Sequence, residues 1–309
     1  VASGFWFNGG GESSATMHIN DDGSAVVATG SPDVAGSRAS MALMAAETLG
    51  IDYDQVRATV ANTANVGYTH VSGGSRVTLS TGLAVVNASK NVIDELCLRA
   101  ARIWGVDAEG ITWEDGHAKP ASTNVGEFDP LSLAQIAAQK AATGGPIVGS
   151  AGVNATCQAP GVATQICDVE VDPETGKVTI LRFTTAQDVG RAIQPDSVEG
   201  QIQGGSVQGI GWALNEEYVY DANGHLQNAG FLDYRMPLAS DLPMIDAVMV
   251  EVPNPDHPYG VKGVGEANIV PPMAAVANAV RDATGVRIKA LPISPPRLLA
   301  ALDAGVMEA

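Results

Sequence analysis

Cysteine is scarce: Cys97, Cys157 and Cys167 are the only three, and no C-x-x-C spacing occurs. An odd set of dispersed thiols encodes neither a disulfide framework nor an iron–sulfur or zinc cassette, and it fits a reducing, cytoplasmic compartment. Basic residues are few as well, 17 Lys and Arg against 34 Asp and Glu, for a formal net charge of -17. A surface of that sign argues against nucleic acid and anionic membranes as partners, since both need clustered cations to displace counterions. Long apolar runs are missing too. Gly, Ser or charge breaks each one before the roughly 18 residues of a spanning helix, so no membrane insertion is expected. No secretory signal pattern is visible. Val1 leads straight into Phe5-Trp6-Phe7 and Gly9-Gly10-Gly11, as an entry into the middle of a structure would.

Several chemistries lose their usual support. Neither G-x-x-x-x-G-K-[ST] nor G-x-G-x-x-G after a strand occurs, which counts against nucleotide hydrolysis and dinucleotide binding of the common kinds. No G-x-S-x-G elbow presents a serine nucleophile. His18, His70, His117, His225 and His257 are scattered beside turn residues without metal-ligand spacing, and they read as solvated loop histidines.

What remains is a chain of 309 residues, 45% hydrophobic, long enough for one large domain or two modest ones. Asp21-Asp22-Gly23 predicts a tight hairpin turn, Glu114-Asp115-Gly116 after a strand at 111–113 a second, and 172–176 a third. Apolar spacing predicts helices over 37–49, 80–104, 131–142, 195–214 and 271–281, with a last one opened by Ser294-Pro295-Pro296. Strands are expected at 56–60, 163–171, 177–184, 217–220, 245–252 and 286–290. Hairpins and helices intermix, so the fold class is α+β, and the Gly144-Gly145-Pro146 breaker predicts a boundary between halves 1–145 and 146–309.

Three glycine-rich segments invite function. Val71-Ser72-Gly73-Gly74-Ser75-Arg76 precedes a long helix, where its amides could form an anion nest with Ser75 and Arg76 as further donors; an ordinary helix-entry loop is the competing reading. The run from Gly200 to Gly211 carries five glycines in or around a helix, each costing on the order of 1 kcal/mol against alanine. Close packing or close approach of a ligand would explain it, and Gln201 and Gln208 share one face. The third segment, Tyr259 to Asn268, sets Glu266 after a glycine turn shortly before Pro271-Pro272. Glu266 is there either a capping residue or a general base.

Taken together, Asp168 to Val178, Asp188-Val189-Gly190-Arg191-Ala192-Ile193, Val198 to Gly205, Gly209-Ile210-Gly211, Phe231-Leu232-Asp233-Tyr234 and Lys262-Gly263-Val264-Gly265-Glu266 resemble the C-terminal part of the molybdenum-cofactor subunit of the molybdenum hydroxylases. That is the family of xanthine dehydrogenase and aldehyde oxidoreductase. The resemblance implies oxidative hydroxylation of an electron-poor C–H carbon, in an aldehyde or an N-heteroaromatic small molecule, with water as the oxygen source. It makes Glu266 the active-site base, and it gives Gln201, Gly73, Gly74, Ser75 and Gly265 to the cofactor. That cofactor is molybdopterin, as such or as its cytosine dinucleotide, which holds the molybdenum without direct protein ligands. The first half is then an α/β part of the cofactor-binding region, and the second carries the GVGE active-site loop.

The chain departs from the family pattern in two ways. Val34-Ala35-Gly36 stands where a GQG turn is usual, so Ala35 replaces a cofactor-contacting glutamine unless Ser37 or Arg38 compensates. The earlier half of the family's large subunit is absent. This resembles a split molybdenum subunit of the nicotinate dehydrogenase kind, completed by a partner chain carrying the other half, an iron–sulfur subunit and an FAD subunit. Two alternatives stay open: a catalytically inactive structural or assembly subunit, and a hydrolase pairing Glu266 with a second carboxylate such as Asp233.

Overall fold

Alternating burial begins with the first element. The computed structural model describes residues 1–60, 62–156 and 159–305, which leaves Cys157 outside the described residues. Strand β1 (Ala2–Trp6) is followed by the hairpin of β2 (Gly11–Ile19) and β3 (Ala25–Thr29). Its turn is the expected one: Gly23 takes φ +86° and the main-chain N–H of Ser24 donates to Asp22 Oδ1 at 2.9 Å. Helix α1 (Ser37–Leu49) stops on left-handed Gly50, and β4 (Val56–Val60) comes next. A π-turn over Val77–Thr81 leads into α2 (Gly82–Trp104), ended by left-handed Gly105. A small sheet of β5 (Ile111–Glu114), β6 (His117–Pro120) and β7 (Leu131–Ser132) precedes α3 (Leu133–Ala138) and α4 (Lys140–Thr143). Strands β8 (Ile147–Ala155), β9 (Gly161–Val171) and β10 (Val178–Asp188) follow, then α5 (Pro195–Leu214) and β11 (Ile245–Val250). Helices α6 (Pro272–Thr284) and α7 (Pro295–Asp303) close the described chain. The mixture is α+β, as expected.

The chain divides into two compact units, one of Val1–Phe7, Pro160–Val252 and Gly263–Ala309, the other of Asn8–Ala159 and Pro253–Lys262. Both follow one plan, which the sequence does not display as a repeat. In the first unit the sheet order is β1-β9-β10-β11, and in the second it is β8-β2-β3-β4. Each contains an antiparallel hairpin, a helix, and a strand returning parallel to the hairpin's second strand, while an outer strand pairs antiparallel with its first. Helix α6 packs on β9 and β1 as α2 packs on β2 and β8, and α5 meets β10 and β11 as α1 meets β3 and β4.

The expected boundary at Gly144-Gly145-Pro146 lies inside the second unit. These residues only end α4, and the strand beyond them, β8, pairs with β2 from Gly11↔Ala155 to Ile19↔Ile147. Local breakers cannot reveal a partner so far away in sequence. Strand β8 was hidden by its own glycines. A Cβ at Gly149 would come within 2.6 Å of the Ala88 carbonyl, so that glycine lets α2 lie close on the sheet. The helix expected over 131–142 is interrupted at Gln139. No named strand forms at 217–220, where Tyr220 makes only an isolated bridge with Leu226, or at 286–290.

Each unit closes its own core. In the first, Phe183, Ile180, Ile210, Ala213, Ile245, Val276, Val280, Ile293 and Leu298 cluster between sheet and helices. In the second, Met17, Val27, Met44, Leu49, Leu79, Val85 and Leu96 are buried. His257 belongs here rather than on a solvated loop, being only 4% exposed. The main-chain N–H of Tyr259 donates to its Nδ1 at 3.1 Å, and Tyr259 Oη lies 2.9 Å from Thr48 Oγ1. Burial lowers the His257 imidazole from 6.5 to about 4. Between those values the unfolded chain binds a proton that the folded one refuses, so stability falls as pH drops through this window. His257→Gln should flatten that dependence in denaturant melts between pH 6.5 and pH 4. An unchanged slope would show that the imidazole is not the group responsible.

Candidate active site

Glu266 ends the 263–266 loop and opens the short 3-10 turn Ala267–Ile269, ahead of α6. Its side chain is half-buried and takes part in polar interactions. The loop is gripped by amide side chains. Gln187 Nε2 donates to the Val264 carbonyl at 3.0 Å, and Asn268 Nδ2 donates to the same oxygen at 3.2 Å and to the Gln201 carbonyl at 3.1 Å. Gln165 Nε2 donates to the Asn268 carbonyl at 2.7 Å. Beneath them the Thr185 and Ser206 hydroxyls lie 2.9 Å apart, and Ser206 Oγ donates to the Ile202 carbonyl at 2.8 Å. Gln165, Thr185, Gln187, Ser206 and Asn268 are all fully buried.

The sequence reading missed these five residues, although a signal was present. Period-two alternation puts Gln165 on the same face of β9 as Ala163 and Cys167, and Thr185 and Gln187 on the same face of β10 as Phe183. Polar residues at inward positions require partners there. Gln165 Oε1, Gln187 Oε1 and Asn268 Oδ1 accept no hydrogen bond among the described residues.

Gln201 stands in the same unit, half-buried on α5, with its carbonyl held by Asn268 as just described. The glycines around it divide by purpose. A Cβ at Gly205 would overlap Asn268 Oδ1, one at Gly209 would meet Pro272 Cγ at 2.6 Å, and one at Gly211 would collide with Glu216 and Pro237. Gly200 and Gly204 face open space. Close packing therefore accounts for three of the helix glycines.

Gly73, Gly74 and Ser75 belong to the other unit, on the loop before the π-turn and α2. This loop occupies the place in its unit that the Glu266 loop occupies before α6. Gly74 and Ser75 take φ +85° and +56°, and Arg76 returns to the right-handed region; the change of hand from Ser75 to Arg76 is of the kind that can turn successive N–H groups toward one point. Arg76, one of the two further donors considered for an anion, is instead spent inside the fold. It is 1% exposed and donates to the carbonyls of Gly10 at 2.5 Å, His70 at 2.9 Å and Glu12 at 2.6 Å, and to Ser13 Oγ at 2.8 Å. Burial pulls its guanidinium below its ordinary value. Ser37 and Arg38 are likewise engaged locally, Ser37 Oγ with the main chain of Pro32 and Val34 and Arg38 Nε with Asp33 at 2.7 Å. Ala35 is exposed at φ +48°, a left-handed conformation that its methyl makes costly.

The family model for the molybdopterin cofactor-binding domain matches residues 1–243. The chain belongs to that family. As a molybdopterin cofactor-binding domain it is 33% identical over 293 residues to the xanthine dehydrogenase molybdenum-binding subunit of Escherichia coli O157:H7, covering 92% of this chain and 38% of that protein. It is 32% identical over 309 residues to the aldehyde oxidoreductase of Megalodesulfovibrio gigas, covering 97% of this chain and 31% of that one. Among solved structures, quinoline 2-oxidoreductase from Pseudomonas putida 86 superposes with a TM-score of 0.84 at 28% identity, over 95% of this chain and 38% of that chain. The domain thus spans under two fifths of the length of each of these relatives. Among the described residues no cluster of three or more His, Cys, Asp or Glu could hold a metal ion, and no helix is long and apolar enough to cross a membrane.

The Arg76 fork gives a direct test of how the glycine loop is held. Lysine has one compact ammonium and cannot span three carbonyls, so Arg76→Lys should cost about 2–4 kcal/mol, read as a lower melting temperature. An unchanged melt would mean that the fork contributes little to holding the loop.

Proposed function

We propose that this domain forms one wall of the catalytic site of a molybdenum hydroxylase, with Glu266 as the base. The observation that carries this reading is a carboxylate whose loop is gripped by fully buried amides, in the same unit as Gln201. Such preorganisation suits a group that must meet a reacting atom within a fraction of an ångström. Two features fit the cofactor itself. The change of hand from Ser75 to Arg76 can turn main-chain N–H groups toward an anionic tail, and Gln201 brings a neutral amide that can pair with a polar ring edge. Gly73, Gly74, Ser75, Gln201 and Gly265 would then hold molybdopterin, in the simple form or as the cytosine dinucleotide.

When bound, the cofactor supplies the oxygen-transfer and two-electron chemistry. The chain's own part is narrower. Glu266 takes a proton at a carboxylate oxygen and orients the substrate, and Gln201 keeps the cofactor edge from shifting. The substrate class is a small molecule with an electron-poor C–H carbon, an aldehyde or an N-heteroaromatic, in keeping with the relatives named above. The remaining wall of the site comes from polypeptide outside these 309 residues, in our reading a partner chain. Iron–sulfur and FAD subunits carry the electrons away.

Two substitutions in the assembled protein test this. Glu266→Gln keeps the shape but cannot accept a proton at neutral pH, so turnover should fall by about a hundred- to ten-thousand-fold with molybdenum and pterin retained. A capping role would instead cost about 1 kcal/mol of stability and spare turnover, and that outcome would sink the assignment. Gln201→Ala should lower the pterin retained on purification, because a polar edge left bare costs roughly 1–3 kcal/mol. Full occupancy with only a changed KM would refute its place at the cofactor.

A further inference from the structure

One side chain joins the two features on which this reading depends. We propose that Asn268, seated over Gly205, is the positioning residue that ties the loop of Glu266 to α5 at Gln201; this rests on the reading of Glu266 as the base. Its single amide nitrogen reaches two carbonyls, Val264 on the loop at 3.2 Å and Gln201 on the helix at 3.1 Å. The main-chain carbonyl of Asn268 accepts from Gln165 Nε2 on β9 at 2.7 Å. The chain is therefore pinned two residues before Glu266 and two residues after it, with a third point of attachment on the helix that bears Gln201. Only a neutral amide serves here. Aspartate has the same shape but no donor, and it would set a carboxylate against two carbonyl oxygens.

Gly205 is the other half of the device. Glycine weakens a helix relative to alanine, yet a Cβ at 205 would occupy the space of Asn268 Oδ1. Its neighbour Gly204 meets nothing within 4 Å and gives an internal control. Gly205→Ala should push Asn268 out from the helix side without altering any polar group, while Asn268→Asp removes the donors and leaves the shape.

The test compares Gly205→Ala, Asn268→Asp, their double variant, Gly204→Ala and Glu266→Gln in the assembled protein. Molybdenum and pterin content, kcat per bound molybdenum, its pH profile and hydrogen exchange over 263–270 are read on each. Gly205→Ala and Asn268→Asp should each lower kcat per molybdenum about ten- to a hundred-fold, since small misplacements of a reacting group cost that much. Both should displace the pH profile and speed exchange of the loop, and the double variant should be no worse than the poorer single one, because both break one tie. Gly204→Ala should leave kcat and exchange unchanged. Wild-type kcat per bound molybdenum and an unmoved pH profile in Gly205→Ala and Asn268→Asp, whatever their melting temperature or pterin content, would overturn the proposal. With Glu266→Gln inactive, that result removes Asn268 alone; an active Glu266→Gln removes the base reading beneath it.

Discussion

A fully buried amide that donates to two carbonyls cannot be exchanged for an apolar side chain without losing both bonds, each worth about 0.5–1.5 kcal/mol net. Asn268 is such a group, and Gln187 and Gln165 share its burden on the same stretch of chain. The rest of the first unit is arranged around this constraint. Strands β9 and β10 must turn polar residues inward at 165, 185 and 187, and α5 must give up a side chain at 205. The loop of Glu266 is consequently held by buried side-chain amides rather than as part of a named strand.

The two units solve one topological problem twice. A hairpin followed by a helix and a parallel return leaves a loop between the last strand and the next helix, and in both units that loop is glycine-rich, 73–75 in one and 263–265 in the other. Different chemistry secures the two loops. In the second unit a buried guanidinium, Arg76, gathers three carbonyls with its planar fork, whereas in the first unit neutral amides do the work. Each ties main-chain oxygens of a loop to its neighbours through a side chain.

The glycines of α5 show how one composition can have more than one cause. Gly205, Gly209 and Gly211 face Asn268, Pro272 and the Glu216–Pro237 pair, where any side chain would collide, while Gly200 and Gly204 stand over open space. Packing is decided residue by residue, by what the neighbouring loop presents, and nothing in the spacing of the glycines alone separates the two groups.

Much was legible in the sequence because it depends on neighbours a few residues away. The hairpin at Gly23, helices α1 and α5 with their bounds, and the order of the segments that resemble molybdenum hydroxylases all follow from turn chemistry, from periodicity or from motif order. Glu266 and Gln201 stood out for the same reason. Tertiary structure alone decided what depended on distant partners. It revealed β1 and β8, which pair across long loops, and the division into units whose segments interleave along the chain. It also turned Arg76 from a candidate anion donor into an internal clasp and His257 from a surface histidine into a buried one. Burial and hydrogen-bond partnership are properties of a site in three dimensions, and a side chain's type fixes only what it is able to donate or accept once it arrives there.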